Sequence, residues 1–147
     1  MAFFWLSEAK GYTMSELTTP PKSFKPVHWA ALVLLFLMMA QPTFDNVRAL
    51  STGFLGSGEN AVAVTGSQMI LHVVAMLIGW VGLYLFFMRK KLGAYLSIAA
   101  HITGMIAVAT QTPQLLEMFP PAVLAVFFGI LFAITIGPIV AFKEQYD

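Results

Sequence analysis

Cysteine is absent from this 147-residue chain. That excludes disulfides, thiolate metal sites and cysteine nucleophiles. Charge is scarce as well: 10% of the residues are Asp, Glu, Lys or Arg, against about a quarter in a water-soluble globule. No HExxH sequence, no glycine-rich phosphate loop and no serine with an adjacent base and orienting acid occurs. These absences argue against a catalytic activity of its own. No basic cluster is large enough to suggest nucleic acid, and the polar tails are too short to bury a core. All seven acidic residues fall in tails, loops or at the very end of an apolar run. A cation-coupled transporter usually needs a carboxylate at membrane depth, and none is placed there.

What fills the chain instead is apolar: 59% of its residues are hydrophobic. Such a composition leaves too little polar surface to cover the molecule in water, which puts it in the membrane class. The organising stretch is 67–110, two uncharged runs joined by Arg89, Lys90 and Lys91. A helix over 67–88 would reach about 33 Å at about 1.5 Å per residue, matching a hydrocarbon core of about 30 Å. The reading is an all-α integral membrane protein with four transmembrane helices, spanning about 27–44, 67–88, 92–110 and 122–142. Together, residues 27–147 form the membrane domain, without an internal repeat.

The lead-in, 1–26, is too short and too proline-rich to span. It contains a brief apolar run, Phe3 to Leu6, and lacks the basic residue that would precede it in a secretory signal. Translation from Met1 with a membrane-surface anchor and translation from Met14 both fit. Pro42 is expected to kink or end the first span, because it lacks an N–H and clashes one turn back. Asp45, Asn46 and Arg48 would then mark the exit into water. The connection 45–66 is long for a helical hairpin. It is either a loop folded over the mouth of its own bundle or a lid or docking surface.

Orientation follows from the basic residues. Lys10, Lys22, Lys25, Arg89, Lys90, Lys91 and Lys143 share one side, and only Arg48 lies on the other. The positive-inside rule makes the first side cytoplasmic, together with both termini. Without a signal peptide, and with compact spans, the expected home is a prokaryotic plasma (inner) membrane.

Within lipid, small residues let helix backbones approach. Gly79 and Gly82 give the second span a smooth stripe, Ala100 and Gly104 form a small-xxx-small pair in the third, and Ala125, Gly129 and Ala133 form a ladder in the fourth. These are the packing or interface candidates, whether toward this chain, a second copy or another protein. The nine methionines and thirteen phenylalanines show no regular spacing with histidine and read as packing.

Three histidines remain. His28 and Trp29 sit at the start of the first span, where such rings prefer the headgroup zone and His28 can stay wet. His72 lies about a turn and a half into the second span, one turn after Gln68, and His101 lies near the middle of the third. A neutral imidazole can ligate haem iron or another metal, or hydrogen-bond a quinone. His101, His72 and Gln68 are therefore the candidate cofactor-binding residues, with haem b or quinone as the groups they would take. An offset of about 8–9 Å along the normal separates the two histidines at about 1.5 Å per residue, which disfavours a bis-histidine haem. The structural alternative is a hydrogen bond to Gln68, Thr103 or a backbone carbonyl. No cofactor and no metal site is expected outright. Gln41, Asp45, Asn46, Gln68, His72, Gln111 and Gln114 gather at the non-cytoplasmic end.

Minimal soluble mass, small-residue ladders and the missing catalytic set fit a non-catalytic accessory subunit of a larger, respiratory or redox, membrane complex. Its partners would be larger membrane subunits and lipid. A haem- or quinone-binding redox protein and an oligomeric small-solute transporter or channel are the alternatives.

Overall fold

The computed structural model describes residues 24–56, 58–117 and 120–147; the expectations for residues 1–23 lie outside them. Four of its helices are long and apolar enough to cross a membrane. They are α1 (Phe24–Thr52), α2 (Gly66–Phe87), α3 (Lys91–Gln111) and α5 (Pro121–Ala141). Between α1 and α2 lie two-residue strands, β1 (Phe54–Leu55) and β2 (Val62–Ala63), and a single turn, α4 (Pro113–Leu116), precedes α5. Helix α1 packs on α2 and α5, and α3 packs on the same two. The four long helices therefore close into a ring in the order α1, α2, α3, α5.

The first helix departs from the sequence expectation. It neither stops at Phe44 nor ends at Pro42, but runs 29 residues to Thr52 with Pro42 inside it. Proline removes one helical hydrogen bond, and within a membrane such gaps are tolerated where Ser or Thr side chains and neighbouring helices supply partners. Pro42 frees the Met38 carbonyl; one residue further on, the Thr43 hydroxyl donates to the Met39 carbonyl at 2.7 Å and Trp80 Nε1 of α2 donates to the Thr43 hydroxyl at 2.9 Å, tying the turn beside the proline to its own helix and to α2. Asn46, expected at the exit into water, is buried on the inner face. At about 1.5 Å per residue α1 is about 43 Å long and overshoots the hydrocarbon core by about two turns.

The remaining connection is also structured. Strands β1 and β2 pair antiparallel, Phe54 with Ala63 and Leu55 with Val62. Gly53, Gly56 and Gly58 take positive φ values, which a residue without Cβ adopts without strain. Leu55 turns inward to pack with Ala49, Met69 and Leu115, so the hairpin folds onto the end of its own bundle. Helix α2 then starts on a capping box: Thr65 N–H donates to Gln68 Oε1 at 2.8 Å, and Gln68 N–H donates back to Thr65 Oγ1 at 3.4 Å.

Helices α2 and α3 make the closest crossing. An ideal Cβ on Gly82 would lie 2.7 Å from Ser97 N, one on Gly79 would lie 3.3 Å from Ala100 Cβ, and one on Gly104 would lie 3.9 Å from Ala75 Cβ. These pairs define one antiparallel register, and the Gln68 Nε2 bond to the Gln111 carbonyl at 3.2 Å continues it. Gly93, in the first turn of α3, faces the backbone of Leu85 and Phe86 so closely that no Cβ fits.

Candidate functional site

The register fixes the level of each histidine. Continued from the Gly79–Ala100 and Ala75–Gly104 pairs, it sets His72 opposite Ala107, six residues along α3 from His101. That is an axial offset of about 9 Å. Two imidazoles on one iron need nitrogens about 4 Å apart, twice a metal–nitrogen bond of about 2 Å. The bundle does not bring His72 and His101 to one level.

Each histidine has its own surroundings. His101 Nδ1 lies 2.7 Å from the Ser97 carbonyl oxygen one turn back. A carbonyl only accepts, so Nδ1 carries the proton and donates, and in the neutral ring Nε2 is left with its lone pair. That Nε2 is buried with no hydrogen-bond partner among the described residues. The Phe127 ring of α5 lies 5.6 Å away, centroid to centroid. Fixing one imidazole nitrogen on a backbone carbonyl is how proteins orient a ligating histidine, although it serves a packing role equally well. The arrangement can present a lone pair to a metal or to a hydroxyl donor. His72 is 6% exposed, with its Nε2 also buried and unpartnered among the described residues. Its main-chain carbonyl accepts from Asn46 Nδ2 at 3.4 Å, tying α1 to α2.

Gln68 stands apart from both. Its Oε1 caps α2 and its Nε2 holds the end of α3, so both ends of the amide serve the fold. Gln111 Oε1 and Thr112 Oγ1 are buried without a partner among the described residues. Gln41 and Gln114 are exposed. Among the described residues no group of three or more His, Asp or Glu side chains could hold a metal ion.

The packing candidates divide. Gly79, Gly82 and Ala100 are buried between α2 and α3, with Met39 of α1 also against Gly79. Gly104 is partly covered, with Ala75 as its neighbour. Ala125, Gly129 and Ala133, by contrast, are all exposed on the outer face of α5, and a Cβ on Gly129 would meet nothing within 4 Å.

The sequence reading missed a cluster at the opposite end. His28 is not wet but 5% exposed. It stacks on Phe24, with ring centroids 5.4 Å apart, and its Nδ1 is hydrogen-bonded to the Tyr146 hydroxyl at 2.8 Å. Tyr146 stacks in turn on Phe86 at 5.7 Å. The Arg89 guanidinium lies 5.2 Å over the Phe24 ring. Arg89 itself takes φ 60° where the chain turns from α2 into α3. Asp147 completes the clasp: its N–H donates to the Arg89 carbonyl at 3.0 Å, its main-chain oxygen accepts from Lys91 N–H at 2.7 Å, and its carboxylate pairs with Lys90 Nζ at 2.7 Å. Burial pushes the Tyr146 phenol up to about 12, against the opposing charge of Arg89. The Lys90 hydrogen bond and charge hold the Asp147 carboxyl below its usual range. The residue spacing offered one hint of this cluster: Phe24 and His28 lie one helical turn apart.

These features define a multi-pass helical membrane protein with four transmembrane-length helices. No family model matches the chain, and no curated protein or solved structure matches it either.

Proposed function

We propose that this chain is a non-catalytic accessory subunit of a larger membrane complex, set in a prokaryotic inner membrane with both termini cytoplasmic. The observation that carries this reading is the outward ladder Ala125, Gly129 and Ala133, which stays exposed among the described residues, with nothing within 4 Å of a Cβ on Gly129. Lipid chains gain nothing from small residues, whereas a neighbouring helix gains close backbone approach. The ladder is therefore a seat for a partner helix. The sidedness rests on the basic residues of the Arg89 turn and tails against the single Arg48.

Because the chain has no cysteine, Gly129→Cys gives a single crosslinking position. Expressed in the native membrane and labelled with a thiol-reactive benzophenone, which on illumination inserts into nearby C–H bonds, it should join the chain to larger subunits. Gly129→Leu should strip those subunits during mild-detergent purification while the chain itself stays folded. A protein that runs alone, and crosslinks to nothing or only to itself, overturns the accessory reading.

A second reading is favoured by one observation, the buried lone pair of His101 Nε2 behind a fixed Nδ1–H. In that reading His101 ligates haem b or accepts from the hydroxyl of a reduced quinone. A Soret band in the 350–700 nm absorption spectrum that disappears in His101→Ala would support the haem form. A colourless protein that also retains no extractable quinone would end this reading.

A further inference from the structure

The outer face of α1 and α2 carries a groove of about 450 Å³. Trp29, Val33 and Phe36 line it from α1, and Trp80, Tyr84 and Phe87 from α2. Edge-on aromatic pairs bound its ends, Trp29 with Phe87 at 6.1 Å and Phe36 with Trp80 at 5.8 Å. Its walls are bulky and aromatic, the opposite of the small-residue surface on which a second helix packs closely. The volume is that of a small-molecule site, and a flexible hydrocarbon chain follows such a surface better than a helix about 10 Å across.

Charge and length narrow the occupant. Lys25 is exposed one turn before Trp29, on the same helical stripe as Trp29, Val33 and Phe36. From Phe36 to Lys25 the helix rises about 16 Å, close to one leaflet of a hydrocarbon core about 30 Å thick. The groove thus runs from near the bilayer midplane to a lysine at headgroup depth, on the side that also holds Arg89, Lys90 and Lys91. We propose that it is a lipid site, holding one acyl chain of an anionic phospholipid whose phosphate meets Lys25. The proposal uses the membrane-spanning fold and is independent of any partner on α5.

Tryptophan fluorescence tests it directly. The chain has three tryptophans, so Trp5→Phe leaves the two groove residues, Trp29 and Trp80, as reporters. The full chain is reconstituted in phosphatidylcholine vesicles containing rising fractions of brominated phosphatidylglycerol or brominated phosphatidylcholine. The phosphatidylglycerol should quench with an apparent preference of about fivefold, the effect of one cation at an anionic headgroup. Lys25→Gln should bring the two lipids to parity, and Val33→Phe, which fills the groove, should reduce quenching by both. Equal quenching by the two lipids in the parent protein overturns the proposal. So does a preference that survives Lys25→Gln, or shielding from both lipids accompanied by a crosslinked dimer, which would make a second copy the occupant.

Discussion

Replacing Gly93 by alanine sets helix propensity against packing. On an isolated helix the change gains about 1 kcal/mol. In the bundle the new Cβ would sit 2.6 Å from the Leu85 carbonyl carbon and 2.7 Å from the Gly82 carbonyl oxygen, well inside the 3.4 Å at which ordinary contact begins. It would also overlap the Phe86 amide nitrogen. All three obstacles are main-chain atoms, so no side chain can rotate aside and the helices must separate. Overpacking costs about 1–3 kcal/mol even where side chains can adjust, and here the upper end applies. The net expectation is a loss of about 1–2 kcal/mol. Gly137→Ala on α5 is the control, since a Cβ there meets nothing within 4 Å. Unfolding of the purified protein by SDS in mixed micelles, followed by circular dichroism, reads both. If Gly93→Ala unfolds at the same or a higher SDS fraction than the parent, the close α2–α3 crossing is wrong.

The same titration checks three further expectations. Thr43→Val leaves the Trp80 indole N–H without its acceptor and should cost about 1–3 kcal/mol; adding Trp80→Phe should recover part of that loss. Tyr146→Phe keeps the ring in its aromatic cluster and gives up only the His28 hydrogen bond, about 1 kcal/mol. Its pH profile should also differ from the parent's: below pH about 10 the phenol is protonated folded or unfolded, and above it the unfolded chain ionises first. Parent stability therefore falls from about 10 until about 12, and Tyr146→Phe removes that component. For the exposed Asp147–Lys90 pair the sign is opposite, because the folded carboxyl is held low. Its small contribution is present above the ordinary aspartate value of 3.8 and lost as pH falls below it, so the parent and Lys90→Gln should converge in acid.

The apolar helices were legible because spanning length and lack of charge are properties of the chain itself. The extension of α1 was not. Pro42 and the polar run Asp45, Asn46 and Arg48 carry the local signals of an ending, and what overrides them is tertiary: Trp80 from α2 bonded to Thr43, and Asn46 bonded to a carbonyl of α2. The β1–β2 turn left a partial trace in its glycines. For the histidines, spacing gave the axial offset but not the surroundings. His101 bonds a carbonyl within its own helix, and helical periodicity permits that bond without requiring it. His28 is buried by Tyr146, at a sequence separation of 118, which no local pattern carries. The direction faced by the α5 ladder also had to come from the ring, because four-residue spacing names a stripe and leaves its azimuth open.

The α2–α3 crossing also bears on the order of assembly. Its tightest contact, Gly93 against the Phe86 backbone, is among the most local in sequence, while the clasp joining α1 to the tail closes a loop of more than a hundred residues. Short loops close at lower entropic cost and sooner. The expected nucleus is thus the hairpin of α2 and α3, with the flanking helices settling on its two edges afterwards, and slower refolding of Gly93→Ala than of Tyr146→Phe would check it. Gly93 would then shape the folding rate as well as the finished bundle, whereas Tyr146 would act mainly on how slowly the closed ring comes apart.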